Sequence, residues 1–415
     1  MRWIVMVLSA LLLVACIGPG DDDELLVWFH TGKPSERAAM EAMVADYNAS
    51  DPPRQVRLVC IPEQGYHDRI ETAAQAGRLP DVLDFDGPYL ASLAWKGILQ
   101  PIPDHQELVD NLLPSLVAQG TWRDQVYGLG QFDSGLGLYA RRSALTAIGA
   151  RIPDGVADAW SVDEFEEILR GLAERGERQV LDLKLNYGGE WFTYAFSPII
   201  QSAGADLVSR ATPVAAVGTL DAPQAVAAMS RLQSWIAEGY VHPNADDNAF
   251  ISGAALLSWC GHWVYEDYAR AHGDDLVVLP LPDFGTGSRT GMGSWCWGIT
   301  RSCRDVDAAR HFLTYILGDD RILAMTAANA AVPATATAAA QSSLHGPDGP
   351  LALFTAQLSE AAVPRPVSPA YPVITQVFQD AFARIRRGED VAEVLAEAAV
   401  EIDREVADNQ GYPSP

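Results

Sequence analysis

Lysine is nearly missing from this chain: of 415 residues, only Lys33, Lys96 and Lys184 carry an ammonium group. Even with arginine, the 29 basic residues face 54 acidic ones, a formal net charge of −25. That deficit excludes a basic nucleic-acid-binding surface, because no surplus of cations is available to neutralise phosphates. Cysteine is sparse as well, five in all, with no Cys-x-x-Cys pair and no Cys/His spacing that suits zinc. A Gly-x-Ser-x-Gly elbow and a His-Glu-x-x-His helix are both absent. The glycine-rich run at 285–293, GTGSRTGMG, lacks the Lys-Ser/Thr ending of a phosphate loop. The reading is therefore a protein without metal or cofactor, and not an enzyme. A secreted carbohydrate-active enzyme is the rival from another class, because Asp84, Asp133 and Glu190 supply carboxylates that could pair for glycoside cleavage.

Long hydrophobic runs are missing too. The apolar stretch at 3–14, behind Arg2, is too short for a comfortable membrane span and reads as a signal peptide covering 1–15. It ends in Leu13-Val14-Ala15-Cys16, which resembles the lipobox of bacterial lipoproteins. Cys16 is then the expected lipidation site, 16–24 an acidic tether, and the mature protein extracytoplasmic and held to a membrane by lipid. In an oxidising compartment the remaining Cys60, Cys260, Cys296 and Cys303 allow disulfides, with Cys296 and Cys303 as a candidate short-loop pair.

What is present is a foldable composition, 48% hydrophobic and 20% charged, over a length that exceeds one ordinary core. Two lobes are expected. The first third reads strand, helix, strand, helix, strand, helix, an α/β pattern that implies a parallel sheet with helices on its faces. Met40, Met43, Val44 and Tyr47 fall on one helical face, and Ile70, Ala73 and Ala74 on another. Ligands of such sheets sit beyond the C-terminal strand ends, which here carry His30, Gln64, Asp84 and Asp86. The 121–149 stretch reads as a strand interrupted at Phe132-Asp133-Ser134-Gly135 and then resumed. Such a segment suits a passage between lobes at 131–135, with Phe132 and Asp133 facing the gap. A return passage is expected at 281–285. Ser161 to Glu164 and Asp390 to Glu393 are capping boxes.

Three stretches carry a resemblance: VWFH at 27–30, AAQAGRLPDVLDFDGPYLASLAWKGILQPI at 73–102, and YGLG followed by GLYARRSAL within 125–146. Together they resemble the extracellular solute-binding proteins of ABC sugar importers, the maltose-binding-protein-like branch. The resemblance implies two lobes, each a mostly parallel sheet flanked by helices, joined by hinge crossovers. It implies lobes at 25–134 with 284–334 and at 135–283 with 335–410. It also implies a monomer that closes around a sugar or oligosaccharide and delivers it to permease and ATPase subunits.

A sugar cleft needs aromatic faces for C–H surfaces and convergent polar groups for hydroxyls. The candidates are His30, Gln64, Asp84, Asp133, Glu190, Trp191, Trp263, Ser294, Trp295, Trp297 and Arg365. Asp133 is placed at the cleft floor, Asp86 as a helix cap, and Trp28 and Trp259 in the core. The same carboxylates and tryptophans would suit a polyamine or other cationic solute, against which Arg365 argues.

Overall fold

The computed structural model describes residues 23–413 other than 177–178, 212–213 and 245. Cys16, the apolar leader and most of the acidic tether lie outside the described residues. Strand Glu24–Thr31 alternates its side chains across a sheet, so Val27 and Phe29 enter one hydrophobic cluster and Trp28 another. Helices cover both faces. Pro34–Ala49 buries Met40, Met43, Val44 and Tyr47 on one side, and Tyr66–Gln75 buries Ile70, Ala73 and Ala74 on the other. The second helix ends where Gly77 turns into the left-handed region at φ 64°.

The first sheet runs Gln55–Pro62, Glu24–Thr31, Val82–Asp86, Trp295–Ile299, Leu129–Gly130. Its first three strands are parallel, and Trp295–Ile299 is antiparallel to both neighbours. The second sheet runs Leu276–Leu279, Leu136–Arg141, Leu257–Gly261, Leu181–Asp182. There Leu136–Arg141 is antiparallel to both neighbours, whereas Leu257–Gly261 and Leu181–Asp182 are parallel. One cause accounts for both reversals. Leu136–Arg141 and Trp295–Ile299 are the strands that enter each lobe from the other, so no helical crossover within the lobe sets their direction. The second lobe has its own core, which includes Phe165, Ile168, Leu169 and Leu172 of helix Val162–Glu174. Ser161 Oγ accepts the Glu164 N–H at 3.2 Å, and Asp390 Oδ1 accepts the Glu393 N–H at 2.9 Å.

The outward passage lies at Phe132–Asp133, which pairs antiparallel with Val332–Pro333. The return lies later than expected. Phe284 N–H and Thr286 N–H still bond to Ser202 of the second lobe, and Thr290–Met292 pairs with Ala362–Pro364. The chain joins the first sheet only at Trp295. The last passage is also later, because Ala334 and Ala338 pack in the first-lobe core and Leu344 and then Leu351 pack against the second.

All four described cysteines are free. Cys296 packs with Phe85 on one face of the first sheet, and Cys303 packs with Phe312 on the other. The sheet itself separates them, which corrects the expected pairing.

Candidate functional site

Strand ends of the first lobe and helix starts of the second meet in one buried cluster. Arg365, 4% exposed, leaves strand Ala362–Pro364 and reaches across to Asp86 at the end of Val82–Asp86. Its Nη1 and Nη2 donate to the two Asp86 oxygens at 3.0 and 2.9 Å, a bidentate fork. Nη1 also donates to Glu190 Oε2 at 2.6 Å, and the guanidinium carbon lies 5.0 Å over the Tyr194 ring. Glu190 directly precedes helix Trp191–Ser202; it accepts Tyr371 O–H at 2.5 Å and, from the first lobe, Tyr89 O–H at 3.3 Å. Burial pulls the guanidinium pKa down, but Asp86, Tyr371 and Glu190 outweigh it and hold it well above its ordinary value. Burial pushes the Glu190 carboxyl up, against the Arg365 charge.

Asp86 was expected to cap a helix, and its side chain makes no cap bond. Its carboxylate is taken by the guanidinium instead, a stronger charge-assisted partner than a backbone amide. Tyr89 and Tyr371 are the residues that sequence reasoning missed. The two tyrosines sit in the first turns after apolar segments, where pattern alone assigns them to packing.

Beside this bridge, Trp295 lies opposite Asp86 in register and stacks on His30 with ring centroids 3.5 Å apart and planes at 5°. His30 and Asp84 face each other: Asp84 accepts His30 N–H at 3.0 Å and approaches Nδ1 at 2.5 Å. Burial would lower the His30 pKa, but the Asp84 carboxylate prevails and holds it at about 9. The pair thus turns its polar atoms inward and backs the Trp295 ring. His67 stacks on Tyr89 at 3.7 Å.

Asp133 is wholly buried between two interlobe passages, where Oδ1 accepts Ser134 N–H at 2.8 Å and Gly293 N–H at 3.4 Å. Its Oδ2 has no hydrogen-bond partner among the described residues. Burial pushes this carboxyl up, against the Ser115 hydroxyl, the two amides and Arg365. Phe132 packs in the first-lobe core and meets the His262 ring edge-on. Ser294 marks the return passage: its N–H goes to Gln119 Oε1 at 3.0 Å, and its carbonyl accepts Gly87 N–H at 2.9 Å. Trp263 is half-buried against Trp191 and Tyr194, and its carbonyl accepts Lys33 Nζ from the first lobe at 2.6 Å.

Three candidates stand elsewhere. Trp297 is core, stacked on Phe29 with its indole N–H on Gln131 Oε1 at 3.2 Å. Trp191 is also core, its N–H held by the Leu183 carbonyl at 3.2 Å, and it supports Trp263 from behind. Both rings follow the sheet and helix faces that bury them, a distinction no turn signal reveals. Gln64 stands exposed before helix Tyr66–Gln75. Trp28 and Trp259 are core residues.

A cavity of about 150 Å³ opens beside the bridge, lined by His67, Tyr89, Glu190 and Pro372 among others. A larger one, about 390 Å³, lies on the second lobe around Asp206, Arg210 and Thr219. Its Arg210–Asp206 pair is already closed at 2.6 Å, and it touches neither Arg365 nor the aromatic rings, so chemistry favours the smaller opening.

His30 has a pH consequence. Its folded value of about 9 lies above the ordinary 6.5. The bound proton therefore stabilises the fold fully below pH 6.5, and that contribution is lost as pH rises towards 9. It amounts to a few kcal/mol, on the order of 1.4 per pKa unit. Thermal unfolding of the ligand-free protein followed across this window should show a falling Tm, and His30→Asn should flatten the decline. An equal decline in the variant would move the effect away from this pair.

Residues 42–348 match the family model described as bacterial extracellular solute-binding protein. A search of curated proteins finds no match. Solved structures share the fold. The cyclic α-maltosyl-1,6-maltose binding protein of Arthrobacter globiformis aligns at TM-score 0.75 and 20% identity, over 93% of this chain and 99% of its own. The GacH receptor of Streptomyces glaucescens, solved unliganded and with acarbose, aligns at 0.77 and 22%, over 94% and 98%. An ABC transporter solute-binding protein of Thermotoga lettingae bound with α-D-tagatose aligns at 0.78 and 20%, over 92% and 99%. With the family model matched over most of its length and the two-lobed architecture in place, this chain belongs to the bacterial extracellular solute-binding proteins.

Proposed function

We propose that the protein captures a sugar or oligosaccharide between its lobes and hands it to the permease of an ABC importer. The observation that carries this reading is the pairing of an aromatic platform with a polar cluster across one cleft. Trp295, backed by His30, offers a face for sugar C–H surface, and Arg365, Asp86 and Glu190 offer charged partners for hydroxyls. The fold relatives solved with acarbose or α-D-tagatose support the same solute class. The lobes divide at 25–134 with 293–341 and at 135–292 with 342–410. Opening them would break the Arg365–Asp86 fork, and a bound sugar would replace those bonds on closure.

Thermal-shift and calorimetric titration against a saccharide panel tests this reading. One saccharide should raise the Tm and bind saturably without products. Trp295→Ala should weaken binding about tenfold or more, the loss expected for a stacked ring. Appearance of cleavage products would support an enzyme instead, and silence across the panel would end the sugar reading.

The chain is also proposed to be anchored outside the cytoplasm through diacylated Cys16. Among the described residues no helix is long and apolar enough to cross a membrane. Cys16→Ala should move the protein out of the membrane fraction or leave its leader uncleaved. A normally processed variant that stays with the membrane would contradict the anchor.

A further inference from the structure

The charges that converge on the cleft do not balance. Four carboxylates gather there: Asp84, Asp86, Asp133 and Glu190. The cations that meet them are His30 and Arg365. His30 is taken by Asp84 and, at 3.8 Å from its other ring nitrogen, by a further carboxylate, Glu36, and Arg365 gives its fork to Asp86 and shares one nitrogen with Glu190. His67 adds no charge near neutral pH: burial, with the His30 and Arg365 charges, holds it at about 4 despite Asp86. Asp133 has no cation in contact among the described residues, and its wholly buried carboxylate is met only by the Ser134 and Gly293 amides and the neutral Ser115 hydroxyl.

Asp133 belongs to the same cluster. Its neighbour Ser134 places Oγ 3.0 Å from the Tyr194 hydroxyl, and the Tyr194 ring lies under the Arg365 guanidinium. Gly293, whose N–H reaches Asp133, sits against the other side of the cluster: a Cβ there would stand 3.2 Å from Arg365 Nη2. Burial pushes the carboxyls of both Asp133 and Glu190 up, against the Arg365 charge, so any charge they keep is held at a cost.

A neutral sugar hydroxyl can donate to these oxygens but leaves the excess negative charge buried when the lobes close. An acidic sugar would add to it. An ammonium supplies both the missing donors and the missing charge, and the tyrosine and tryptophan rings around the cluster attract a cation as well. We infer that the solute is a basic amino sugar, its protonated amine drawn to the Asp133 and Glu190 carboxylates around Arg365. This inference rests on the sugar reading above and narrows it.

Calorimetric titration of the full mature protein with matched sets tests it: glucose, glucosamine and glucuronate, the corresponding galactose and mannose sets, and cellobiose beside the glucosamine disaccharide and its N-acetylated form. In whichever stereochemical series binds, the amine should bind about tenfold or more tighter than the hydroxyl or acetamide partner, and the acid should not bind measurably. Asp133→Asn and Glu190→Gln should each shrink the amine-to-hydroxyl ratio. The wild-type comparison decides the matter even if a variant fails to fold. Equal or tighter binding of the hydroxyl, acetamide or acidic partner overturns the inference and leaves the sugar reading intact. Absence of binding by every saccharide overturns both.

Discussion

The two lobes are tied together at their centre by one buried guanidinium. Arg365 belongs to the second lobe, Asp86 to the first, and Glu190 faces both from the start of a second-lobe helix. Removing one partner from such a buried set leaves an uncompensated charge, typically at a cost of about 3–5 kcal/mol. The planar fork matters: it meets both Asp86 oxygens at once and still has an edge for Glu190, which a lysine ammonium on its flexible stem would not reproduce.

Around the bridge, the fold supplies a geometry that can open. The strands that carry the chain from one lobe into the other run against the direction of their neighbours, and short pairings such as Phe132–Asp133 with Val332–Pro333 join the passages there. Asp133 clips two of these passages by accepting amides from Ser134 and Gly293. A few further ties cross the gap, including Lys33 to the Trp263 carbonyl and His262 Nδ1–H to the Asn329 carbonyl at 2.8 Å. These ties, with Trp95 and Arg123 against Tyr412 and Pro413, join lobes that otherwise keep separate cores, an arrangement compatible with hinge motion.

Much of this was legible in the sequence, for identifiable reasons. Helix faces such as Met40, Met43, Val44 and Tyr47 are written in a 3.6-residue period, and capping boxes fix helix starts within the local chain. Arg365 stands between Pro364 and Pro366, whose fixed φ angles stiffen the segment that presents it. The tryptophans were harder, because Trp295 and Trp297 differ by two residues on one strand face and only the third dimension makes one a platform and the other core. Asp86 was misread because a carboxylate before a helix is usually a cap, and its true partner lies 279 positions away. The return passages were placed early for the same reason: the bonds from Phe284 and Thr286 to Ser202 are long-range and leave no local trace.

Small-angle scattering of the ligand-free protein, wild type beside Arg365→Met, tests the bridge most directly. If the guanidinium holds the lobes together, the variant brings two unneutralised buried carboxylates face to face and the lobes part. Its radius of gyration should then exceed that of the wild type while the circular dichroism spectrum stays the same. A folded Arg365→Met protein as compact as the wild type would show that the lobes close without the bridge, and would contradict the account.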